Sequence, residues 1–505
     1  MTALHKDAAI AVIGAGAMGA GIAQGAAQAG HPVALFDTRE GAAAQAIAGI
    51  AKQLGKRVDA GKLDAAERDA VVARLTPAAR LEDLAGSALV VEAIVENLQI
   101  KRELFEKLEA ICGAECILAS NTSSLSITSL AATLQRPERV AGLHFFNPAP
   151  VMALVEIVAG LASDKAVLDC LYATAKAWGK KPVHTKSTPG FIVNRVARPF
   201  YAESLRLLQE GASDCASLDA LLRDAGGFRM GAFELTDLIG HDVNYAVTCS
   251  VFDAYYGDFR FQPSLIQKEL VDAGRFGRKS GRGFYDYTEG AERPAAQSLP
   301  AAAKHACMVV EGDLGPAAAL VERIAAAGVQ VIRRDGAGLI RVGEAVLALS
   351  DGRMAAERAR DEGLRNLALF DLALDYAKAT RLAVAFAAGT DANAREAVAG
   401  LLQAAGIAVT EVTDSPALVV LRTVAMLANE AADAVLQGVG SAADIDLAMC
   451  AGVNYPKGPL AWADAIGVGT VLNVLDNLQR SYGEDRYRPS LLLRRLHCAG
   501  GRFHG

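Results

Sequence analysis

The sequence predicts an α/β domain with a parallel sheet, followed by an all-α domain, a small α/β segment and a second copy of the helical domain. Strand-like and helix-like segments alternate through the first part of the chain, and the alternation stops at a Pro-Gly break. A long stretch of the helical part recurs at a constant offset near the C-terminus. We place the four segments at residues 1–187, 188–290, 291–412 and 413–505.

The composition is that of a folded globular chain. Of the 505 residues, 52% are hydrophobic and 21% are charged, whereas disorder needs low hydrophobicity and high net charge. The net charge of -6 argues against a broad nucleic-acid surface. No apolar run reaches the ~18 residues of a membrane span, and the chain enters a strand-like segment without a leader-like stretch. The eight cysteines form no CxxC pair, which favours reduced thiols in a cytoplasmic protein without a metal site.

The N-terminal segment has the pattern of a dinucleotide-binding turn. The strand-like AAIAVIG leads into GAGAMG at 14–19, and a helix-like segment follows. Glycines there permit a tight turn and let the backbone approach a pyrophosphate at the helix N-terminus, which predicts a Rossmann-type domain. The next strand, HPVALFD, ends at Asp37, and an acid there accepts hydrogen bonds from a ribose 2′-hydroxyl. This pattern favours NAD over NADP, although Arg39 lies nearby.

The alternation continues beyond the second strand. Further strands are predicted at 88–94, 116–120, 139–146 and 151–158, and helices at 97–112 and 163–180. Such alternation predicts a parallel sheet that is covered on both faces. After the break at Thr188-Pro189-Gly190 the pattern is helical to about residue 275, and RLAVAFAAG (381–389) is a candidate strand before the second helical copy.

Polar residues near three strand ends are candidates for chemistry. Ser120 to Ser124 follow a strand, so they fit either a ligand site or a helix N-cap. His144 fits either a general base or a core histidine. Glu156 lies in an apolar segment and needs a partner, which is either His144 or a basic residue. A loop through Asn147-Pro148 that folds the chain back would bring Glu156 to His144.

The C-terminal part repeats the first helical domain at an offset of 227 residues. Thr188-Pro189 falls on Ser415-Pro416 and Arg195 on Arg422, and the register holds without a gap from about 163 to 257. A period this long indicates a duplicated domain rather than a solenoid. The copy has Leu421 at the position of Asn194, so we expect it to be structural. The same offset would place Asp371 on His144 and Ala383 on Glu156, but we do not rely on these two matches, because they lie before the span in which the register holds.

These motifs resemble the L-3-hydroxyacyl-CoA dehydrogenase family, in its long form with a duplicated C-terminal domain. The resemblance covers roughly residues 7–287, in the family's order, and the repeated domain extends it. The segments that carry it are GAGAMG, VEAIVEN (91–97), SNTSSLSIT (120–128), GLHFFNPAPVMALVEIV (142–158), TPGFIVNR (188–195) and GRKSGRGFYDY (277–287).

The resemblance implies a role for each matching residue. His144 would take the proton of the substrate's 3-hydroxyl, Glu156 would orient it, and Ser123 and Asn194 would bond the substrate oxygen. Lys56 would bind the phosphates of CoA. The residues implied to contact NAD are Gly14, Gly16, Met18, Gly19, Asp37, Glu96, Lys101, Ser123, Asn147 and Lys279.

Without the resemblance, several of these residues have ordinary explanations. Glu96 and Lys101 fit a solvated helix face, and Lys279 fits a surface basic run. A β-hydroxyacid dehydrogenase with a free-acid substrate is a rival, but those enzymes usually rely on a lysine base. A non-catalytic NAD-binding protein is another rival, and the intact catalytic set argues against it.

The resemblance implies NAD-dependent oxidation of an L-3-hydroxyacyl-CoA, with 3-hydroxyadipyl-CoA of phenylacetate catabolism as the expected substrate and 3-hydroxybutyryl-CoA of short-chain fatty-acid metabolism as the alternative. A dicarboxylyl substrate would need a cation near its distal carboxylate, for which Arg198, Arg229 and Arg260 are candidates. In short family members the helical domain makes the dimer contact. We therefore expect the second copy to pack on the first in place of a partner, which reduces, without removing, the need for a homodimer.

Overall fold

The computed structural model describes residues 2–505, and its N-terminal part contains an eight-stranded sheet. Its strands are β1 Ile10–Ile13, β2 Val33–Phe36, β3 Leu75–Pro77, β4 Leu89–Glu92, β5 Ile117–Ser120, β6 Val140–Phe145, β7 Leu154–Ala159 and β8 Lys181–Lys186. Their order is β3-β2-β1-β4-β5-β6-β7-β8. The chain changes direction across the sheet between β1 and β4, where open α/β sheets bind ligands.

Six helices from the N-terminal part of the chain cover this sheet on its two faces. They are α1 Ala17–Gln28, α2 Ala42–Asp59, α3 Ala65–Ala73, α4 Leu98–Ile111, α5 Ile127–Ala131 and α6 Lys165–Ala177. Alternate residues of β1 enter different cores: Ile10 and Val12 pack with α1, α2, α3 and α6, whereas Ala11 and Ile13 pack with α4 and α5. A strand that is buried on both sides has a continuous apolar run, which is what AAIAVIG shows.

The predicted strands are confirmed as β1, β2, β4, β5, β6 and β7, while β3, β8, α2 and α3 were not predicted. The expectation of a parallel sheet is wrong for one strand pair. β7 runs antiparallel to β6, because the chain turns back through Asn147 and Pro148. This reversal is the one that the loop predicted, and β8 then pairs parallel with β7.

A helical region follows the first sheet, and a second sheet separates it from its copy. The helices of the first copy are α7 Val193–Val196, α8 Arg198–Gln209, α9 Cys215–Asp224, α10 Ala232–Ile239, α11 His241–Ala254 and α12 Leu265–Asp272. The second sheet contains β9 Cys307–Glu311, β10 Gln330–Arg334, β11 Leu339–Val342, β12 Ala345–Leu349, β13 Leu367–Phe370, β14 Arg381–Phe386 and β15 Ala408–Glu411, in the order β10-β9-β11-β12-β13-β14-β15.

The remaining helices accompany the second sheet or form the second copy. They are α13 Ala318–Ala326, α14 Ala355–Glu362, α15 Ala392–Ala404, α16 Val420–Leu436, α17 Ala442–Val453, α18 Pro459–Ile466, α19 Val468–Tyr482 and α20 Leu491–Ala499. The candidate strand of the sequence is β14.

The chain forms two compact units, and each unit is made of two separate stretches of the sequence. Residues up to Arg195 and residues 437–453 form the first unit, and residues 196–436 and 454–505 form the second. In the first unit, α17 packs against β7 and β8, and Gly452 allows the approach because a Cβ there would lie 2.5 Å from Leu154 Cδ2. The second unit repeats this contact. Its α9 is the counterpart of α17, and it packs against β14, which is the counterpart of β7.

The repeat reaches further back than the sequence alone established. A shift of 227 residues moves Lys165–Ala177 onto Ala392–Ala404 and β7 onto the whole of β14. The Asp371 N–H donates to the Ala383 carbonyl at 3.0 Å, which gives these two residues the cross-strand pairing of His144 and Glu156 in the first copy. The structure therefore supports these two matches, on which the sequence alone gave no reason to rely.

Asp371 also holds the helix that follows in the second copy. Its Oδ2 accepts hydrogen bonds from the backbone N–H groups of Val419 and Val420 at 3.0 and 2.7 Å, and its Oδ1 accepts from that of Leu421 at 3.0 Å. A carboxylate beneath the first turn of a helix satisfies donors that have no partner within the helix. The second copy has thus kept an anchor for its helix without keeping a histidine.

The two helical copies contact each other within the second unit. α8 packs on α16, and the fully buried Arg422 donates from Nε to Glu203 Oε2 at 2.8 Å. The same guanidinium donates to the hydroxyls of Tyr482 and Tyr487 at 2.8 and 2.7 Å. The copies are therefore in contact, as the hypothesis of an internal partner requires.

Three chemical features of residues 2–505 bear on function. No helix there is both long and apolar enough to cross a membrane. No group of three or more His, Cys, Asp or Glu side chains in that range could hold a metal ion. The eight cysteines are free thiols.

Replacing Arg422 with Met should lower the free energy of unfolding of the second unit by about 3–5 kcal/mol, since the buried Glu203 carboxylate would lose its nearest charged partner and keep only Arg486, at 3.8 Å. Urea unfolding followed by circular dichroism measures the change. The control is Arg494→Met, because Arg494 pairs with Asp476 at 2.6 Å where both side chains are exposed, and its loss should cost less than about 1 kcal/mol. Equal, small losses in the two variants would contradict a stabilising role for the buried pair.

Candidate active site

Glycine shapes the turn between β1 and α1. Gly14 has a φ of +100°, and a Cβ on it would lie 2.5 Å from the Ala93 carbonyl oxygen. A Cβ on Gly19 would overlap the Gly14 carbonyl oxygen, whereas one on Gly16 would meet no described atom within 4 Å. Met18 is half-buried and packs on the core below. The start of α1 therefore has room above it and backbone N–H donors, which fits a dinucleotide pyrophosphate.

Asp37 follows β2 and is tied to the same turn. Its Oδ2 accepts a hydrogen bond from the Ala15 N–H at 2.8 Å, and its Oδ1 accepts from the Arg39 N–H at 2.9 Å and from the Arg39 Nε at 3.3 Å. Burial raises the pKa of Asp37, but these hydrogen bonds outweigh it and hold the pKa below its usual value. An ionised carboxylate beside the turn suits a ribose with a free 2′-hydroxyl.

A buried ion pair links β4 to α4. The Lys101 Nζ lies 2.6 Å from Glu92 Oε1 and 3.3 Å from Glu96 Oε2, and both Lys101 and Glu92 are almost completely buried. The Ser120 hydroxyl donates to Glu92 Oε2 at 2.6 Å. The Thr122 hydroxyl donates to Glu96 Oε1 at 2.5 Å. These contacts bring the ends of β4 and β5 together at one edge of the sheet.

Glu96 organises the loop that carries Ser123. Its Oε1 accepts from the backbone N–H groups of Ser123 and Ser124 at 3.1 and 3.3 Å. Burial raises the pKa of Glu96, but the Thr122 hydroxyl and the Lys101 charge outweigh it, so the pKa is below its usual value. Because the loop is held through its backbone, the half-buried Ser123 side chain is not needed to hold it.

His144 and Glu156 form the buried pair that the sequence raised as one alternative. They lie opposite each other on β6 and β7, and His144 Nδ1 is 2.7 Å from Glu156 Oε2. Their side chains are 7% and 1% exposed. We assign the imidazole proton of His144 to Nδ1, because the Glu156 carboxylate accepts a hydrogen bond at that position. The lone pair is then on Nε2. The rings of Phe146 and Phe191 lie 4.5 and 5.8 Å from the imidazole.

Glu156 connects this pair to the helix that contains Asn194. Its Oε1 accepts hydrogen bonds from the backbone N–H groups of Ile192 and Val193 at 3.0 and 3.1 Å. One carboxylate thus fixes the imidazole with one oxygen and the start of α7 with the other. The loop at Ser123 is joined to the same strand end, since Asn121 Oδ1 accepts from the backbone N–H of Phe145 at 2.8 Å, one residue beyond His144.

Three other predicted residues are either exposed or part of the second unit. Asn147 is exposed in the turn between β6 and β7, and Lys56 is exposed on α2. Lys279 belongs to the second unit, where its Nζ lies 2.5 Å from Asp242 Oδ1.

Glu92 and Asn121 hold the cluster in place, but sequence reasoning gave Glu92 no role and included Asn121 only in the polar stretch from Ser120 to Ser124. Glu92 is the acid that ends β4, and an acid inside the apolar run ALVVEAI was a usable signal for a buried ion pair. The partner of Asn121 could not be predicted, because it is a backbone group on the next strand.

Comparison with protein families assigns most of the chain. Residues 9–188 match the model for the 3-hydroxyacyl-CoA dehydrogenase NAD-binding domain. Residues 190–287 and 418–503 both match the model for the C-terminal domain of 3-hydroxyacyl-CoA dehydrogenase, in agreement with the duplication. Residues 347–416 match the reduced Rossmann-fold domain of 3-hydroxybutyryl-CoA dehydrogenase.

Individual relatives agree with the family models. The chain is 45% identical to 3-hydroxyadipyl-CoA dehydrogenase of Escherichia coli over 485 residues, which is 96% of each chain. It is 41% identical to a probable 3-hydroxybutyryl-CoA dehydrogenase of Bacillus subtilis over 281 residues, 55% of this chain and 97% of that one. The crystal structure of 3-hydroxybutyryl-CoA dehydrogenase from Escherichia coli, 44% identical, covers 98% of this chain and 99% of its own with a TM-score of 0.90.

The glycine turn, the ionised acid beside it and the buried histidine–carboxylate pair lie within the matched NAD-binding domain, and family models cover well over half of the chain. The chain belongs to the 3-hydroxyacyl-CoA dehydrogenase family and is an NAD-dependent oxidoreductase of that family.

Proposed function

We propose that the chain oxidises L-3-hydroxyadipyl-CoA to the 3-oxo thioester, with His144 as the general base. The observation that carries the reaction is the buried pair of His144 and Glu156 at 2.7 Å. The acyl group is supported by the similarity to the Escherichia coli enzyme that acts on 3-hydroxyadipyl-CoA, which extends over 96% of both chains. The second candidate is 3-hydroxybutyryl-CoA, supported by the name of the enzyme in the similar crystal structure.

The protein's contribution is a base and a polar environment for the substrate oxygen. Bound NAD supplies the hydride acceptor. His144 Nε2 takes the hydroxyl proton, and Glu156 stabilises the imidazolium that forms. Ser123 and Asn194 bond the same oxygen, which favours the loss of its proton. Glu156 gives this set its geometry, since it holds both His144 and the start of the helix that carries Asn194.

The remaining assignments complete the proposal. The turn at Gly14, Gly16 and Gly19, together with Asp37, takes the pyrophosphate and ribose of NAD. Further cofactor contacts are proposed for Met18, Glu96, Lys101, Ser123, Asn147 and Lys279. Lys56 is proposed to bind the CoA phosphates, because it is an exposed lysine whose ammonium group can pair with phosphate.

Other features support the proposals for oligomeric assembly and cellular location. The contact of α8 with α16 supports a second copy that takes the place of a partner subunit, so a homodimer would use other surfaces. No nucleic-acid or membrane partner is part of the proposal. Eight free thiols support the cytoplasm, since disulfides form mainly in oxidising compartments.

The acyl group is tested with 3-oxoadipyl-CoA and acetoacetyl-CoA in parallel. NADH oxidation, followed at the nicotinamide absorbance band, gives kcat/KM for each. We expect 3-oxoadipyl-CoA to be preferred by at least about 10-fold, the lower end of what pocket contacts discriminate. A preference for acetoacetyl-CoA would replace the proposal with the short-chain alternative.

Replacing His144 with Ala should lower kcat by at least about 100-fold, because the reaction would lose its general base. Steady-state NADH oxidation measures kcat, and a fluorescence titration checks that NADH still binds. His184→Ala is the matched control, since His184 lies on β8 of the same sheet and stacks on the ring of Tyr172. An unchanged kcat in the His144 variant would refute the assignment.

Replacing Asp37 with Asn should shift the cofactor preference toward NADPH. The amide oxygen can still accept from the Ala15 N–H, but the charge that repels a 2′-phosphate is gone. We expect the ratio of kcat/KM for NADH to that for NADPH to fall about 10-fold or more, which corresponds to one charge-assisted hydrogen bond. Glu40→Gln, which removes a neighbouring exposed charge, should leave this ratio unchanged. The same ratio in the Asp37 variant and the wild type would exclude Asp37 as the determinant.

A further inference from the structure

A cavity of about 420 Å³ lies within the second unit, and residues of both helical copies line it. From the first copy, α8 contributes Ala202 and Leu205 to the wall, and the start of α12 contributes Ser264 and Leu265. The second copy contributes Arg486. None of the residues proposed for catalysis or for cofactor binding is part of this wall. The cavity is therefore a candidate site for a different ligand.

In the second copy, an amide side chain occupies the equivalent place. After α11 the repeat runs at an offset of 226, because the 3₁₀ turn Phe259–Phe261 falls on Asp485–Tyr487 and the Pro-Ser-Leu that follows is repeated. Asn429 of α16 holds the second of these loops. Its Nδ2 donates to the Arg488 carbonyl at 2.9 Å, and its Oδ1 accepts from the Ser490 N–H at 2.7 Å.

The first copy lacks this amide. Ala202 stands at the position of Asn429, and a methyl group can neither accept from the Ser264 N–H nor donate to the Gln262 carbonyl. The Ser264 hydroxyl is buried and has no hydrogen-bond partner within residues 2–505, whereas the matching serine of the second copy caps α20. The cavity thus lies where the second copy has a hydrogen-bonding side chain.

The start of α12 brings backbone donors to the wall of the cavity. The helix begins at Leu265, which lines the cavity, and its N-cap residue Ser264 makes no side-chain hydrogen bond to the first turn. The first N–H groups of a helix have no partner within the helix. They also carry the positive end of the helix dipole, so they favour an anion beside them.

A buried arginine lies on the same wall. Arg486 is 5% exposed, and its Nε has no hydrogen-bond partner among the described residues. Its Nη2 donates to the Gln262 amide oxygen at 3.3 Å, and it lies 3.8 Å from carboxylate oxygens of Glu203 and Glu484. A buried guanidinium without a carboxylate at hydrogen-bond distance gains from an anion placed there.

The counterpart of Arg486 in the first copy has closer partners. Arg260 lies 3.0 Å from Glu430 and also contacts Asp433, so its charge is already paired. The first copy has Arg206 at the position of Asp433. One acid is therefore missing beside Arg486, and a cation stands in its place.

The acids near Arg486 are bound by other arginines. Glu484 accepts from both Nη atoms of Arg206 at 2.7 and 2.6 Å. Glu203 accepts from the Nε of Arg422 at 2.8 Å. Arg486 can therefore bind a further carboxylate without displacing an existing hydrogen-bonded ion pair.

We propose that this cavity binds a small organic carboxylate, whose oxygens accept hydrogen bonds from Arg486 Nε and from the start of α12. Its apolar part packs on Leu205 and Phe261, which line the cavity and favour an organic acid over inorganic phosphate. A cavity of this volume is within the range of small-molecule sites. The inference goes beyond the proposed function, because every residue it uses belongs to the second unit and none is assigned to the reaction.

The test measures the binding of butyrate to the full chain in the presence of saturating NADH. Saturation-transfer difference NMR gives the Kd of butyrate and of its neutral analogue butyramide, and inorganic phosphate is tested as a competitor. We expect saturable binding of butyrate with a Kd of about 1 mM or lower. Butyramide and phosphate should bind at least about 10-fold more weakly, since the first lacks the charge and the second lacks the apolar part.

Two variants and a control assign the binding to this cavity. Ala202→Asn introduces the side chain of the second copy without changing any charge, so it should weaken butyrate binding at least about 10-fold without lowering the melting temperature. Arg486→Met should weaken binding to a similar extent, and each variant serves as the test if the other does not fold. The control is Arg494→Met, which removes an exposed arginine and should leave the Kd unchanged.

Three results would overturn the proposal. The first is a butyrate Kd that is the same in wild type, Ala202→Asn and Arg486→Met, which would place butyrate elsewhere. The second is equal binding of butyramide or phosphate, which would exclude an organic carboxylate as the ligand class. The third is the absence of saturable binding, which would mean that water alone fills the cavity.

Discussion

A carboxylate beneath the first turn of a helix is the constraint on which the candidate active site depends. Glu156 reaches His144 with one oxygen and the backbone N–H groups of Ile192 and Val193 with the other. The imidazole and the helix that carries Asn194 are therefore positioned by a single buried side chain. Since a buried charge is tolerated only with partners on all sides, the three parts fix each other's positions.

The second copy separates the two tasks of this carboxylate. There the acid is Asp371, at the position of His144, and it binds Val419 and Val420, the counterparts of Ile192 and Val193. The helix anchor thus persists where the imidazole is gone and where the strand residue opposite is Ala383. The comparison indicates that the fold requires the helix anchor but does not require the histidine.

The sequence predicted features that depend on neighbouring residues better than it predicted contacts between distant segments. The glycine turn, Asp37 and the return of the chain through Asn147 and Pro148 were readable because each depends on neighbours in sequence. The pairing of Lys101 with Glu92 was not, because it depends on how deeply a helix packs on a strand. The short β3, and β8, which carries polar residues, gave no clear periodicity.

The assignment of α17 to the first unit, more than two hundred residues beyond Arg195, has a consequence for biogenesis. At the usual rate of translation, on the order of tens of seconds pass between the emergence of β8 and that of α17. During this time the faces of β7 and β8 that α17 will cover lack their partner, and the nascent protein must keep them from other apolar surfaces. The N-terminal unit therefore reaches its final state only when the chain is nearly complete, and a gene truncated after the first sheet would encode a domain with an uncovered face.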